Sequence, residues 1–209
     1  MSKSTKHVEA LLQQGLPAMD ISAHKAEILI AYLELLQHWN RTHNLSAIRN
    51  PADMVTLHVF DSLSVLPHVH ALRLADLGSG GGLPGIPLAI ACPDRQITLI
   101  ESNGKKCSFL RAAQRELGLT NLQVIQSRGE AHQPEVPYEA VISRAFASLA
   151  DFWVLARPML AQDGCVLAMK GRVEAAELAE LPKEVVCQVR TLQVPGLQAE
   201  RHLVELTSA

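Results

Sequence analysis

Residues 72–85, LRLADLGSGGGLPG, place the tightest constraint on how this chain can fold. An apolar run ends in an acid and passes into five glycines within eight residues, at 78, 80, 81, 82 and 85. Packing has no use for so many glycines. A tight loop does, because glycine adopts positive φ and lets a ligand approach the main chain without meeting a Cβ. The apolar segment 85–91 that follows has the length of a short helix. The stretch therefore reads as strand, loop and helix, the first unit of a nucleotide-type α/β fold, with loop amides pointing out at the helix N-terminus.

Two registers compete at the loop. Gly80-x-Gly82-x-x-Gly85 satisfies the dinucleotide fingerprint, a weak signal by itself, and leads to an NAD-dependent oxidoreductase. Asp76-x-Gly78-x-Gly80-x-Gly82 satisfies the loop with which class I methyltransferases bind S-adenosylmethionine (SAM). The second register fits better. Gly78 follows the strand at once, Asp76 is placed to reach the ligand's amino group, and Pro84 and Pro87 remove amide donors where a pyrophosphate-binding helix needs them. Gly78 and Gly80 are thus candidate cofactor contacts.

The rest of the chain extends the pattern. Strands are expected over 72–77, 96–101, 122–126, 138–143 and 164–169, with helices over 85–91, 103–117, 148–161 and 173–180 between and after them. This alternation predicts an α/β doubly wound sheet, mainly parallel. Two β-rich runs, 184–194 and 201–207, joined by Pro195-Gly196, add a C-terminal antiparallel hairpin. Upstream, helices are expected over 4–15, 22–42 and 51–66, the last with Asn50 as cap and Pro51 at its first position. The expected organisation is an N-terminal helical extension, 1–68, packed on the same body as a domain over 69–209. With 209 residues and 48% hydrophobic content, such a body can bury a substantial core.

Charge and cysteines exclude little but locate the protein. The net charge of −2 does not announce a nucleic-acid binder, although a neutral total can hide a basic face. No apolar run approaches the ~18–20 residues of a membrane span, and the N-terminus lacks the apolar core of a secretion signal. Cysteines at 92, 107, 165 and 187 are too scattered for a zinc knuckle or a disulfide framework. The expectation is a cytoplasmic monomer with reduced thiols, no metal and no membrane partner.

Residues with chemistry cluster at predicted strand ends, where open α/β sheets bind ligands. Glu101 ends the second strand, 23 residues beyond Gly78, where an acid accepts hydrogen bonds from ribose hydroxyls. The competing reading is that it complements the N-terminal dipole of the helix after Ser102 and Asn103. Gly129 and Glu130, after the third strand, would lie beside the adenine. After the fourth strand the chain reads Ser143-Arg144-Ala145-Phe146. Neither the Asn/Asp-Pro-Pro-aromatic loop of exocyclic-amine methylation nor the cysteine nucleophile of pyrimidine carbon methylation occurs there. Guanine N7 presents an in-plane lone pair and needs neither, so alignment and electrostatics suffice and no catalytic residue is required, with Arg144 the one candidate. Arg144 suits a cofactor or a phosphate, and Phe146 offers a stacking face. Lys105, Lys106, Arg111 and Arg115 crowd one helix. Arg128, Phe146, Lys170, Arg172 and Arg201 are the candidate RNA contacts. His58 and Asp61, three residues apart on one helix face, read as a local hydrogen-bonded pair rather than a catalytic dyad.

These residues together resemble a known family, the bacterial RsmG proteins, also called glucose-inhibited division protein B, which are 16S ribosomal RNA guanine-N7 methyltransferases. The resemblance rests on WNRTHNLSAIR from Trp39, HVFDSL from His58, LADLGSGGGLPGIPLAI from Leu74, KKCSFL from Lys105, SRGE from Ser127, VISRAFASL from Val141, MKG from Met169 and ERHLV from Glu200. It implies a helical extension on a class I SAM-methyltransferase (Rossmann-like) domain, and 16S ribosomal RNA or the small ribosomal subunit as partner. By motif it carries cofactor contacts to Gly78, Leu83, Gly129, Glu130 and Arg144. Three positions depart from the pattern: Leu57 stands for an expected arginine, Gly129 for a bulkier residue, and Ser46 for threonine. The first is expected to weaken one RNA contact. The alternatives are the oxidoreductase above and a non-catalytic ribosome-binding protein with a relic pocket.

Overall fold

Strand breadth follows from burial. The segments β1 (Arg73–Leu77), β2 (Gln96–Glu101), β3 (Leu122–Gln126), β4 (Tyr138–Ser143) and β5 (Leu160–Lys170) are short β-branched and aliphatic runs, and all but β3 are buried over most of their length. Strands buried on both faces read this way in parallel sheets. With β6 (Val185–Thr191) and β7 (His202–Ser208) they form one sheet in the order β3-β2-β1-β4-β5-β7-β6. The first five pair in parallel, and β7 runs antiparallel between β5 and β6. The computed structural model describes residues 3–144, 146 and 148–209, so the Ala145 of the predicted Ser-Arg-Ala-Phe stretch lies outside the described residues.

The helices are α1 (Lys3–Gly15), α2 (Ala26–His43), α3 (Pro51–Met54), α4 (Asp61–Leu63), α5 (Gly85–Ala91), α6 (Gly104–Glu116), α7 (Leu149–Ala156) and α8 (Ala175–Ala179). The predicted cap at α3 forms: Asn50 Oδ1 accepts from the amides of Ala52 and Asp53 at 2.9 and 3.4 Å. The helix expected over 51–66 is interrupted, however, because Val55–Phe60 winds as a π-helix between α3 and α4. α2 ends where Asn44 turns left-handed at φ 48, a conformation asparagine tolerates. The helix expected over 148–161 stops at Ala156, since Pro158 blocks its continuation, and β5 begins at Leu160 rather than at 164.

Successive strand residues face opposite sides of the sheet. One hydrophobic cluster joins Leu12, Tyr32, Leu36 and Phe60 of the N-terminal helical region to Leu74, Leu99 and Leu110. A second packs Phe152 and Trp153 of α7 on Ala75, Val141 and Val166. The N-terminal helices thus share a core with one sheet face, and α7 covers the other. Among the described residues no helix is long and apolar enough to cross a membrane.

This topology prepares one edge of the sheet. The chain leaves β1 toward β2 on one side and reaches β4 on the other, so the carboxyl ends of β1 and β4 flank the crevice where ligands bind in such sheets. At the same edge Lys170, the end of β5, pairs with His202, the start of β7, which brings Arg201 beside it.

Candidate functional site

The glycine loop after β1 adopts the conformations that its composition predicts. Gly78, Gly80 and Gly82 have φ of 74°, 56° and 81°. A Cβ on Gly78 would find nothing within 4 Å, so open space faces the loop there. A Cβ on Gly85 would lie 2.2 Å from Leu99 Cδ2, so that glycine is fixed by close approach of the loop to β2. The expectation of outward-pointing amides is corrected. Gly78 and Ser79 donate to the Ile100 carbonyl, Gly82 and Leu83 to the Ser79 carbonyl, and Ile86 to the Gly82 carbonyl. Gly85 donates to Asp76 Oδ2 at 2.9 Å and Gly80 to Glu101 Oε2 at 2.9 Å. Amides consumed internally cannot cradle a pyrophosphate.

Asp76 accordingly braces the loop from within. It is fully buried, and its Oδ1 has no hydrogen-bond partner among the described residues. Burial pushes its carboxyl up to about 7, against the opposing pull of the Gly85 amide and Arg144. Glu101, 6% exposed, splits its carboxylate: Oε2 takes the Gly80 amide and Oε1 the Asn103 amide at 2.8 Å. Each oxygen retains a second lone pair for a hydroxyl donor. Leu83, within the loop, is buried.

Tyr32 of α2 is a support that local pattern could not reveal. Its hydroxyl donates to the Gly81 carbonyl at 2.7 Å, 49 residues away, and burial pushes its phenol far above the ordinary value, so it remains a donor. Tyr32→Phe should therefore destabilise the fold by about 1–2 kcal/mol, the cost of a buried carbonyl losing its donor. Urea denaturation measures this, and an unchanged midpoint would show that the carbonyl finds another donor.

The remaining predicted residues divide into three groups. Arg128 and Glu130 are exposed around half-buried Gly129, where an added Cβ would come within 3.0 Å of Leu155, so a bulkier residue at 129 would require that leucine to move. Phe146 stacks on Phe152 with centroids 4.6 Å apart. At the carboxyl edge, Arg144 and Arg201 converge on Asp61: Arg144 Nη1 lies 3.4 Å from Oδ2 and Arg201 Nε 2.8 Å from Oδ1. Arg144 Nη1 also donates to the Leu57 carbonyl at 3.0 Å, a bond indifferent to the side chain at 57. Lys170, 12% exposed, forms an ion pair with Glu177 of α8, whose Oε1 also accepts from the Leu149 amide at 3.0 Å. Arg172 is exposed. Lys105, Arg111 and Arg115 line the exposed side of α6, apart from this cluster, and Lys106 is half-buried.

The expected His58–Asp61 bond does not form. His58 Nε2 meets Ser46 Oγ at 2.7 Å while Asp61 serves the arginines. Burial, with Arg144's charge in the same direction, pushes the imidazole down to about 4. Ser46 is itself held by Asn40, which accepts its amide at 2.9 Å and donates to its carbonyl at 2.7 Å. The WNRTHNLSAIR stretch is thus in part a brace for this edge. Ile48, Leu57, Asp61, Arg144, Met169, Lys170, Gly171 and Arg201 enclose a cavity of about 320 Å3. A hollow of about 400 Å3 between Met19, Leu63, Pro67 and Pro195 is larger but lacks this convergence of charge.

The family described as GidB, rRNA small subunit methyltransferase G, matches residues 25–204. The chain belongs to that family. It is 52% identical over 188 residues to the ribosomal RNA small subunit methyltransferase G of Methylobacillus flagellatus, covering 90% of this chain and 91% of that one. The protein of the same name from Stenotrophomonas maltophilia is 51% identical over 201 residues, covering 96% and 95%. Among solved structures, the O-methyltransferase TomG from Streptomyces achromogenes, in complex with SAM, matches 100% of both chains at 14% identity with a TM-score of 0.60, a likeness of fold. The expected class I methyltransferase fold is therefore present. The oxidoreductase register is set aside by family membership and by the internally satisfied loop.

Proposed function

We propose that the protein transfers the methyl group of SAM to N7 of one guanine in 16S ribosomal RNA, in the cytoplasm and without a covalent intermediate. The observation that carries this reading is the make-up of the cavity at the end of β4. Its polar wall is Arg144, Arg201 and Lys170, and its one carboxylate, Asp61, is engaged by both arginines. Such a wall suits the phosphates that flank a target base and so aligns the base, and an acceptor that loses no proton asks for alignment rather than a general base.

The loop fits the cofactor. Open space over Gly78 accommodates a ligand lying on the backbone, and Glu101 keeps lone pairs for two ribose hydroxyls. Gly78, Gly80, Leu83 and Glu101 hold one end in this reading, Gly129 and Glu130 the adenine, and Arg144 contacts the cofactor from the end of β4. When bound, SAM supplies a methyl on sulfonium sulfur, so the N7–carbon bond forms as the sulfur–carbon bond breaks and the positive charge passes to the guanine. Arg144 orients the reactants at the end of β4. Phe146, half-buried and stacked on Phe152, is the aromatic contact in this reading, and Arg128, Arg172 and Arg201 contact RNA, with Lys170 contributing through its pair with Glu177. The N-terminal segment 1–68 acts as a cover of the domain 69–209.

Purified protein given tritiated SAM and small subunits from cells lacking the activity should label 16S RNA, and hydrolysis should release the label as 7-methylguanine. Subunit binding without transfer would instead identify a non-catalytic ribosome-binding protein.

A further inference from the structure

Asp61 gathers two arginines that the sequence keeps far apart. Its partners lie 83 and 140 residues away, at the end of β4 and the start of β7. Each guanidinium is fixed twice: Arg144 by Asp61 and the Leu57 carbonyl, Arg201 by Asp61 and the Glu200 carbonyl at 2.9 Å. The carboxylate is 6% exposed, whereas the arginines remain 27% and 25% exposed, so the anchor is hidden and the anchored groups are presented. The Leu57 carbonyl belongs to the π-helical turn, a distortion that recurs at functional sites.

Among the described residues, Arg144 Nε and Nη2 and Arg201 Nη2 have no protein acceptor. Two guanidiniums against one carboxylate leave the cluster with one net positive charge, and Lys170 is matched by Glu177. Planar N–H forks held in place are suited to bidentate contact with an anion.

We propose that Asp61 is a positioning residue, which holds Arg144 and Arg201 as one clamp for a phosphodiester of the RNA substrate beside the target base. This rests on the proposed function. The clamp sets where the base lies relative to the cofactor, so its loss acts on the rate of transfer rather than on overall RNA affinity. A carboxylate that merely neutralised the arginines would act the other way, because its removal would strengthen attraction for RNA.

The test is single-turnover methylation of small subunits, with protein and SAM saturating, for wild type, Asp61→Asn, Arg201→Lys and the double variant. Wild-type turnover is measured first and reports on the proposed function separately. Both single variants should lose roughly tenfold to a hundredfold in rate, as misplaced reactants do. They should bind RNA at least as tightly as about half the wild-type affinity. Because they disable one clamp, the double variant should lose no more than the worse single. S-adenosylhomocysteine affinity, measured per folded molecule by calorimetric stoichiometry, should stay within about twofold. Rates near wild type with tighter RNA binding would overturn the proposal. A loss of S-adenosylhomocysteine affinity matching the loss of rate would also overturn it, by assigning the clamp to the cofactor's carboxylate. Arg201→Lys retains the charge and decides the matter if Asp61→Asn does not fold.

Discussion

Asp76→Asn should stabilise the protein increasingly as pH rises, by about 2–3 kcal/mol more near pH 8 than near pH 5. The carboxyl is fully buried and holds the Gly85 amide, and burial raises it from 3.8 to about 7. A folded carboxyl that binds its proton more tightly than the unfolded one contributes stability that is complete below about pH 3.8 and lost as pH rises through about 7. Asparagine keeps an oxygen for the Gly85 amide and never ionises, so this loss disappears. Urea denaturation of both proteins from about pH 5 to 8.5 gives the comparison. A difference constant across the range would show that the folded protein holds Asp76 charged at low pH, and the loop would then need a cation at its base.

Glu101→Ala should weaken SAM or S-adenosylhomocysteine binding by roughly 1.5–3 kcal/mol, about 10- to 150-fold. Two effects combine. The side chain's capacity for ribose hydroxyls is removed, and the Gly80 and Asn103 amides lose their acceptor, which frees the loop from the end of β2. Glu101→Gln keeps the shape and separates the effects, since its single oxygen can accept from only one of the Gly80 and Asn103 amides and its nitrogen accepts from neither. Isothermal titration of both variants measures them. A dissociation constant within about twofold of wild type in Glu101→Ala would reduce Glu101 to a complement of the α6 terminus.

What could be read from the sequence was what local chemistry encodes. The segments 85–91, 96–101, 122–126 and 138–143 lie where expected, because glycines, Asn103 and polar turns punctuate apolar runs too short to be misread. The end of α7 was also written locally, in Pro158, and the apolar run through 161 masked it. The π-helical turn has no such signal. Its residues keep a helical pattern, and the Arg144 bond to the Leu57 carbonyl reaches it from 87 residues away.

The site was legible to the same depth. Gly78, Gly80 and Glu101 stand together because the strand–loop–helix unit is local, whereas the use of the loop amides depends on how closely β2 approaches, which no spacing states. His58 and Asp61 are neighbours on a helix, yet each found a partner from another element, Ser46 and the two arginines. Lys170 lies at the predicted strand end but is paired with Glu177, a carboxylate on a helix whose register with β5 only the packed structure sets.

The central claim is met most directly by mapping N7-methylguanine in 16S RNA from cells with and without the gene, using borohydride reduction and aniline cleavage. The account predicts one cleavage site present in the first, absent in the second, and restored by the wild-type protein but reduced with Glu101→Ala. An identical cleavage pattern in the two cell types would contradict it.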